Sequence, residues 1–136
     1  MTALTQDRNT PMRRGEAYTD PVAASTTIYA GSLVCLDSSG NAVPGSEATG
    51  LIARGRAEQR VDNAAGSAGD QYVPVRPGVF RWTNSASSDE ITRAEIGDTA
   101  YIVDDQTVAK TDGSGSRSAA GTIEDVDAQG VWVRTA

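Results

Sequence analysis

Gly97-Asp98-Thr99-Ala100-Tyr101-Ile102-Val103-Asp104-Asp105-Gln106-Thr107-Val108-Ala109 is the stretch that decides the fold. It opens on glycine, runs through strand-forming residues from Thr99 to Val103, reaches an aspartate turn and returns through Val108. β-Branched and aromatic residues fit a pleated surface, and Asp and Gly supply the turn, so the pattern predicts a hairpin. The same outline occurs earlier, from Gly31 through Leu33-Val34-Cys35-Leu36-Asp37 to Ala42-Val43. Each hairpin is followed by a Gly-led strand, Gly50-Leu51-Ile52 and Gly121-Thr122-Ile123. Identities are few (Gly31 with Gly97, Asp37 with Asp104), so the repeat reads as an echo of shared scaffolding.

Working outward, Ser25-Thr26-Thr27-Ile28-Tyr29 predicts a strand before the first hairpin. Gly50 to Val61 alternates well enough to predict one long strand, with Gly55 as a bulge or a close backbone approach. Asn63 to Gly69 is a loop of small residues. Gln71 to Arg76 predicts a strand, and Pro74, which lacks an N–H, places it at a sheet edge or beside a bulge. Pro77-Gly78 turns into Val79-Phe80-Arg81-Trp82-Thr83. Ser87-Ser88-Asp89-Glu90 offers capping residues for one helical turn over 91–96, which Gly97 stops. Gly121 to Val126, a turn at Asp127 to Gly130, and Val131-Trp132-Val133-Arg134 close the chain. About nine short strands at regular spacing predict an all-β fold. The expected form is a small barrel or sandwich of short antiparallel strands, a single domain over 22–136. Residues 1–21 are polar and aperiodic, and read as an N-terminal arm that is either frayed or ordered by a neighbour.

Composition limits the function. Leu, Ile, Val and Phe number only 23 of 136 residues, so the core is thin and burial against copies of itself or a larger partner would help. The net charge of −6, with one lysine, argues against a nucleic-acid partner. Cys35 is the sole cysteine and sits in an apolar run, as a buried hydrophobe would. No apolar run is long enough for a membrane helix, and no signal-peptide pattern opens the chain, so a soluble protein made in a reducing or redox-neutral compartment is expected.

There is no histidine, which removes Ser-His and Cys-His nucleophile pairs and histidine metal sites. Asp104-Asp105 and Glu124-Asp125-Asp127 are the carboxylate clusters available for acid–base or calcium chemistry, and both lie where hairpins turn, where Asp serves the backbone. No enzyme activity, cofactor or metal is therefore expected. Trp82 reads as a core or subunit-contact aromatic. Arg8, Arg13 and Arg14 form a small basic cluster suited to a negative surface.

The order of the blocks resembles the tailed-bacteriophage capsid cement, or head decoration, proteins. Those blocks are the Gly31 hairpin, Gly50-Leu51-Ile52-Ala53, Val73-Pro74-Val75-Arg76-Pro77-Gly78-Val79-Phe80, Ile96-Gly97-Asp98-Thr99-Ala100-Tyr101, Gly121-Thr122-Ile123-Glu124 and Val131-Trp132-Val133-Arg134. The resemblance covers about Thr27 to Arg134. It implies a small β-tulip-like fold and a non-enzymatic binder on the outer face of an icosahedral head, made in the bacterial host cytoplasm. Its implied partners are the major capsid protein and two further copies in a homotrimer, with no nucleic acid and no membrane. Capsid or subunit contact is expected of Arg8, Arg13, Arg14 and Trp82. The alternative is a carbohydrate- or cell-surface-binding β module, with Trp82, Trp132, Tyr72 and Tyr101 stacking on sugar rings.

Overall fold

Both Gly-led hairpins form. The computed structural model describes residues 2–11 and 17–135, and among these the chain is nearly all β. The strands are β1 (Tyr18–Pro21), β2 (Thr26–Ile28), β3 (Leu33–Leu36), β4 (Ala42–Pro44), β5 (Ile52–Ala57), β6 (Val61–Asn63), β7 (Tyr72–Arg76), β8 (Gly78–Asn84), β9 (Thr99–Ile102), β10 (Thr107–Ala109), β11 (Ala119–Asp127) and β12 (Gly130–Thr135). The hairpins are β3–β4 and β9–β10. In each turn an aspartate does the expected backbone work. The Asp37 carboxylate accepts from the N–H groups of Ser39 (2.9 Å) and Asn41 (3.0 Å), and that of Asp104 accepts from Gln106 N–H (2.9 Å).

The echo extends well beyond the hairpins. The first sheet has the order β1-β7-β5-β3-β4, and the closed barrel runs β10-β8-β12-β11-β9. Matching β1, β3, β4, β5 and β7 with β8, β9, β10, β11 and β12 reproduces every neighbour and every direction, in the same chain order. Even the closure corresponds. The barrel is sealed by a parallel pairing of β10 with β8, and the first sheet has a single parallel bridge between Val22, just past β1, and Ala42 of β4. Antiparallel hairpins were expected throughout, and these parallel seams are the exception.

The fourth matched strand of each unit, β5 and β11, carries a bulged glycine. On β5 the register with β3 slips between Gly55 and Ala53, leaving Arg54 as the extra residue. On β11 the register with β9 slips between Ala119 and Gly121. Gly55 and Gly121 have φ of +144° and +150°, and a Cβ at either would strike a backbone carbonyl, Arg76 O or Arg134 O. Only glycine fits. Gly55 is therefore the counterpart of Gly121, not Gly50, which leads into β5 with open space around it.

Each unit inserts a segment after its first strand that plugs its core with isoleucine. In the first it is β2, which pairs with β6 and buries Ile28. In the second it is two single-turn 3-10 helices, Ser87–Asp89 and Arg93–Glu95, with the buried Ile91 between them. The Asn84 side chain clamps Ile91, accepting from its N–H (2.9 Å) and donating to its carbonyl (2.8 Å). One helical turn capped around Ser87 was expected. Thr92 is the real cap, in a capping box with Glu95.

The first core is small: Val22, Ile28, Val34, Ala42, Ala57, Val61, Val73 and Val75. The larger cluster includes Trp82, Ile91, Ile102, Ile123, Val131 and Val133 from the barrel, and also Leu33 and Cys35 from β3. Strand β3 is thus buried on both faces and joins the two units, which explains its uninterrupted apolar run. The Leu33 N–H donates to Asp105 O in the second hairpin's turn (2.8 Å). Burial pushes the Cys35 thiol up to about 12, as suits a packed apolar side chain.

Three boundaries differ from the sequence reading. The β structure begins at Tyr18, inside the stretch expected to be an arm, because Asp20 is a buried ionic partner of Arg54 and not a surface residue. The long strand expected over Gly50 to Val61 ends at Ala57, and β6 joins a separate pair with β2. β7 is not at an edge but internal, between β1 and the bulged β5, so of the two places expected for Pro74 the one beside a bulge is found. Pro74 is tolerated there because the β5 ladder reaches only Val75; beyond it, Glu58 N–H donates to the Pro74 carbonyl (2.9 Å).

Candidate functional site: an arginine–aromatic groove

Strand alternation builds the site. On β8, Phe80 and Trp82 turn inward and Val79 and Arg81 outward; on β12, Val131 and Val133 turn inward and Trp132 and Arg134 outward. The β8–β12 register sets Arg81 opposite Trp132. Directly paired residues share a sheet face, so the guanidinium lies over the indole, 5.7 Å from the ring centroid. Arg56 of β5 reaches Phe80 in the same way, at 4.6 Å. A cleft of about 390 Å³ opens here, lined by Gly31, Arg56, Val79, Phe80, Arg81, Trp82 and Trp132. Beyond Gly31 the pattern repeats, with Arg60 at 5.5 Å over the exposed Tyr29.

The groove is rich in donors. The β5–β7 register sets Arg76 opposite Arg56, two like charges side by side. Such a pair is unfavourable unless a counter-charge is near, and Glu58 supplies one by accepting from Arg56 Nη2 at 2.8 Å. Asp127 flanks the other end. It accepts from Trp132 Nε1 (2.9 Å), Gln129 N–H (2.8 Å) and Gly130 N–H (3.1 Å). The Trp132 bond first, then the backbone bonds and the charge of Arg81, hold its carboxyl below the usual range. Trp82 is only 6% exposed, and its Nε1–H has no acceptor among the described residues.

The residues expected to make contacts are scattered. Arg8 lies in the exposed segment 2–11, where it donates to Thr10 Oγ1 at 2.6 Å. Arg13 and Arg14 lie outside the described residues. Trp82 sits in the barrel core and is among the residues that line the groove. Arg56 and Arg81, which define the groove, were not singled out from the sequence. The available signal was the alternation of Val79-Phe80-Arg81-Trp82 against Val131-Trp132-Val133, which puts an arginine and a tryptophan on outer faces.

Four of the five candidate carboxylates are engaged in structure, whereas burial and then the neighbouring Asp104 charge raise the pKa of the Asp105 carboxyl. Asp104 and Asp127 cap turns, Glu124 pairs with Arg134 (2.7 Å) and Asp125 with Arg93 (2.8 Å). Among the described residues, no three His, Cys, Asp or Glu side chains come together as a metal-binding group. No family model, no curated protein and no solved structure matches the chain.

Proposed function

We propose that this chain is a structural virion protein that binds the outer surface of a phage icosahedral capsid and stabilises contacts between major capsid protein subunits. The observation that carries the reading is the collinear order of strand blocks from Gly31 to Arg134. Three features of the molecule favour it. The cores are made largely of Val, Ala and Ile, so added burial against neighbours is a substantial gain. Residues 2–11 are exposed along their whole length, including Leu4 at 71%, and are free to lie on an adjoining subunit. The groove adds an anchoring surface. Each bound copy would favour the assembled shell by mass action, and a homotrimer would span a joint between capsomers.

The alternative of a carbohydrate- or cell-surface-binding module is less well served. Of the four aromatics it would use, Trp82 is buried, Tyr101 is half-buried and Trp132 has Arg81 over its ring; Tyr72 alone is largely open.

The test is to mix purified protein with bare expanded heads of the phage that encodes it and image them by cryo-electron microscopy. Ordered density outside the shell, bridging neighbouring capsid subunits, is expected. A bare shell at saturating protein overturns the reading.

A further inference from the structure

We propose that the groove between Arg56 and Trp132 is a docking site for an acidic peptide segment of a partner protein, one that presents an Asp or Glu carboxylate beside an apolar side chain. The groove's hydrogen-bonding side chains, Arg56, Arg81 and Trp82, are all donors, whereas Gly31, Val79 and Phe80 give it an apolar lining. Trp82 Nε1–H, nine-tenths buried, has no protein acceptor. A buried donor without a partner carries a desolvation cost, and because Trp82 lines the groove its indole senses what enters there.

The charges point the same way. The chain carries −6 overall, yet Arg56, Arg76 and Arg81 gather here against Glu58 and Asp127. Both carboxylates already hold bonds within the chain, Glu58 to Arg56 and Asp127 to Trp132 and its own turn. Arg81 makes no ion pair within 4.0 Å among the described residues, and its guanidinium lies over the Trp132 ring, 5.7 Å from the centroid. A guanidinium held on an aromatic face still has its N–H edge for a carboxylate, the planar recognition arginine does best. A peptide fits better than a free anion because the cleft of about 390 Å³ also has Phe80 and Val79 surfaces, which would cover an apolar neighbour of the acid. This docking chemistry is independent of what the partner assembles into, so its failure would leave the virion reading intact.

The chain has two tryptophans, and both line the groove. In ¹⁵N-labelled protein their indole N–H signals, assigned with Trp132→Phe, report on it directly. The probe is a blocked hexapeptide of alternating Asp and Leu at low salt, compared with its Asn-Leu analogue and with oligogalacturonate, an acidic sugar. The Trp82 indole signal is expected to move and saturate with the Asp peptide and to stay with the Asn peptide. Arg81→Ala, a change at an exposed residue, should weaken binding about tenfold, the worth of one charge-assisted pair. A Trp82 signal unmoved at millimolar Asp peptide, an equal response to the Asn peptide, or tighter binding of the sugar acid would each overturn the proposal.

Discussion

The two halves of the molecule share one wiring diagram but are held together differently. Both run strand, plug, hairpin, bulged strand, closing strand. The second half seals itself with a parallel β8–β10 pairing and packs around Trp82 and three isoleucines. The first has one bridge at its seam and a core of mostly valine and alanine. It compensates with polar bonds. Arg54, the residue that the bulge pushes out of register, forms a two-pronged pair with buried Asp20 (2.8 and 3.0 Å) and stacks on Tyr18 at 3.6 Å. The bond to Asp20 raises the Arg54 pKa further above its already high value. Asn63 donates to Ala23 O and Ser67 O, both at 3.0 Å, tying β6 to the loop after β1. A small β unit can therefore be closed by packed side chains or pinned by a few buried polar contacts, and the same strand order serves both.

The largest expected effects fall on the equivalent glycines. Gly55→Ala and Gly121→Ala each force a Cβ onto a carbonyl at positive φ, and each should cost about 4 kcal/mol or more. Urea denaturation measures both. A tolerated change at one of the two positions would break the correspondence between β5 and β11.

Asp20→Ala comes next. Removing one partner of a mostly buried pair strands the Arg54 charge, at a cost of about 2–3 kcal/mol. The barrel's exposed Glu124–Arg134 pair should contribute under about 1 kcal/mol, so Glu124→Gln should barely shift the midpoint. Equal losses would mean that the first half does not depend on its polar pin.

These differences mark what was legible in the sequence. The hairpins were, because Asp37 and Asp104 stand where turn geometry needs a short acceptor and are preceded by strand-forming runs. The bulge at Gly55 was, because glycine within an alternating strand has few other uses. Strand β1 was not. Tyr18-Thr19-Asp20-Pro21 looks polar and broken, and only Arg54, thirty-four residues away, makes Asp20 an interior residue. The interior place of β7 was hidden for a similar reason, since Pro74 is acceptable only where the β5 ladder has stopped. The groove was half legible. Trp82 stood out as an aromatic, whereas Arg56 and Arg81 acquire their meaning from register across strands distant in sequence.

The smallest predicted effect is on acid stability and belongs to the barrel alone. Asp127 has its folded-state pKa depressed, chiefly by the Trp132 indole bond. Its contribution is present above the ordinary aspartate pKa of about 4 and is lost as pH falls through the lower folded value. The stability gap between wild type and Asp127→Asn should therefore be largest near neutral pH and shrink below about pH 4. Urea midpoints across that range check it, and a gap that grows on acidification contradicts the sign.

The comparison turns on the two seams, and amide hydrogen exchange under native conditions reads them residue by residue. Ala23 N–H donates to Ala42 O at 3.0 Å across the first seam, and Thr83 N–H donates to Gln106 O at 2.8 Å across the second. Where one bridge and the Asn63 side chain hold the strands in place of a ladder, fewer bonds need break, so Ala23 should exchange by local opening before Thr83. Protection of Ala23 equal to or greater than that of Thr83 would contradict the account of one closed unit and one pinned at a single bridge.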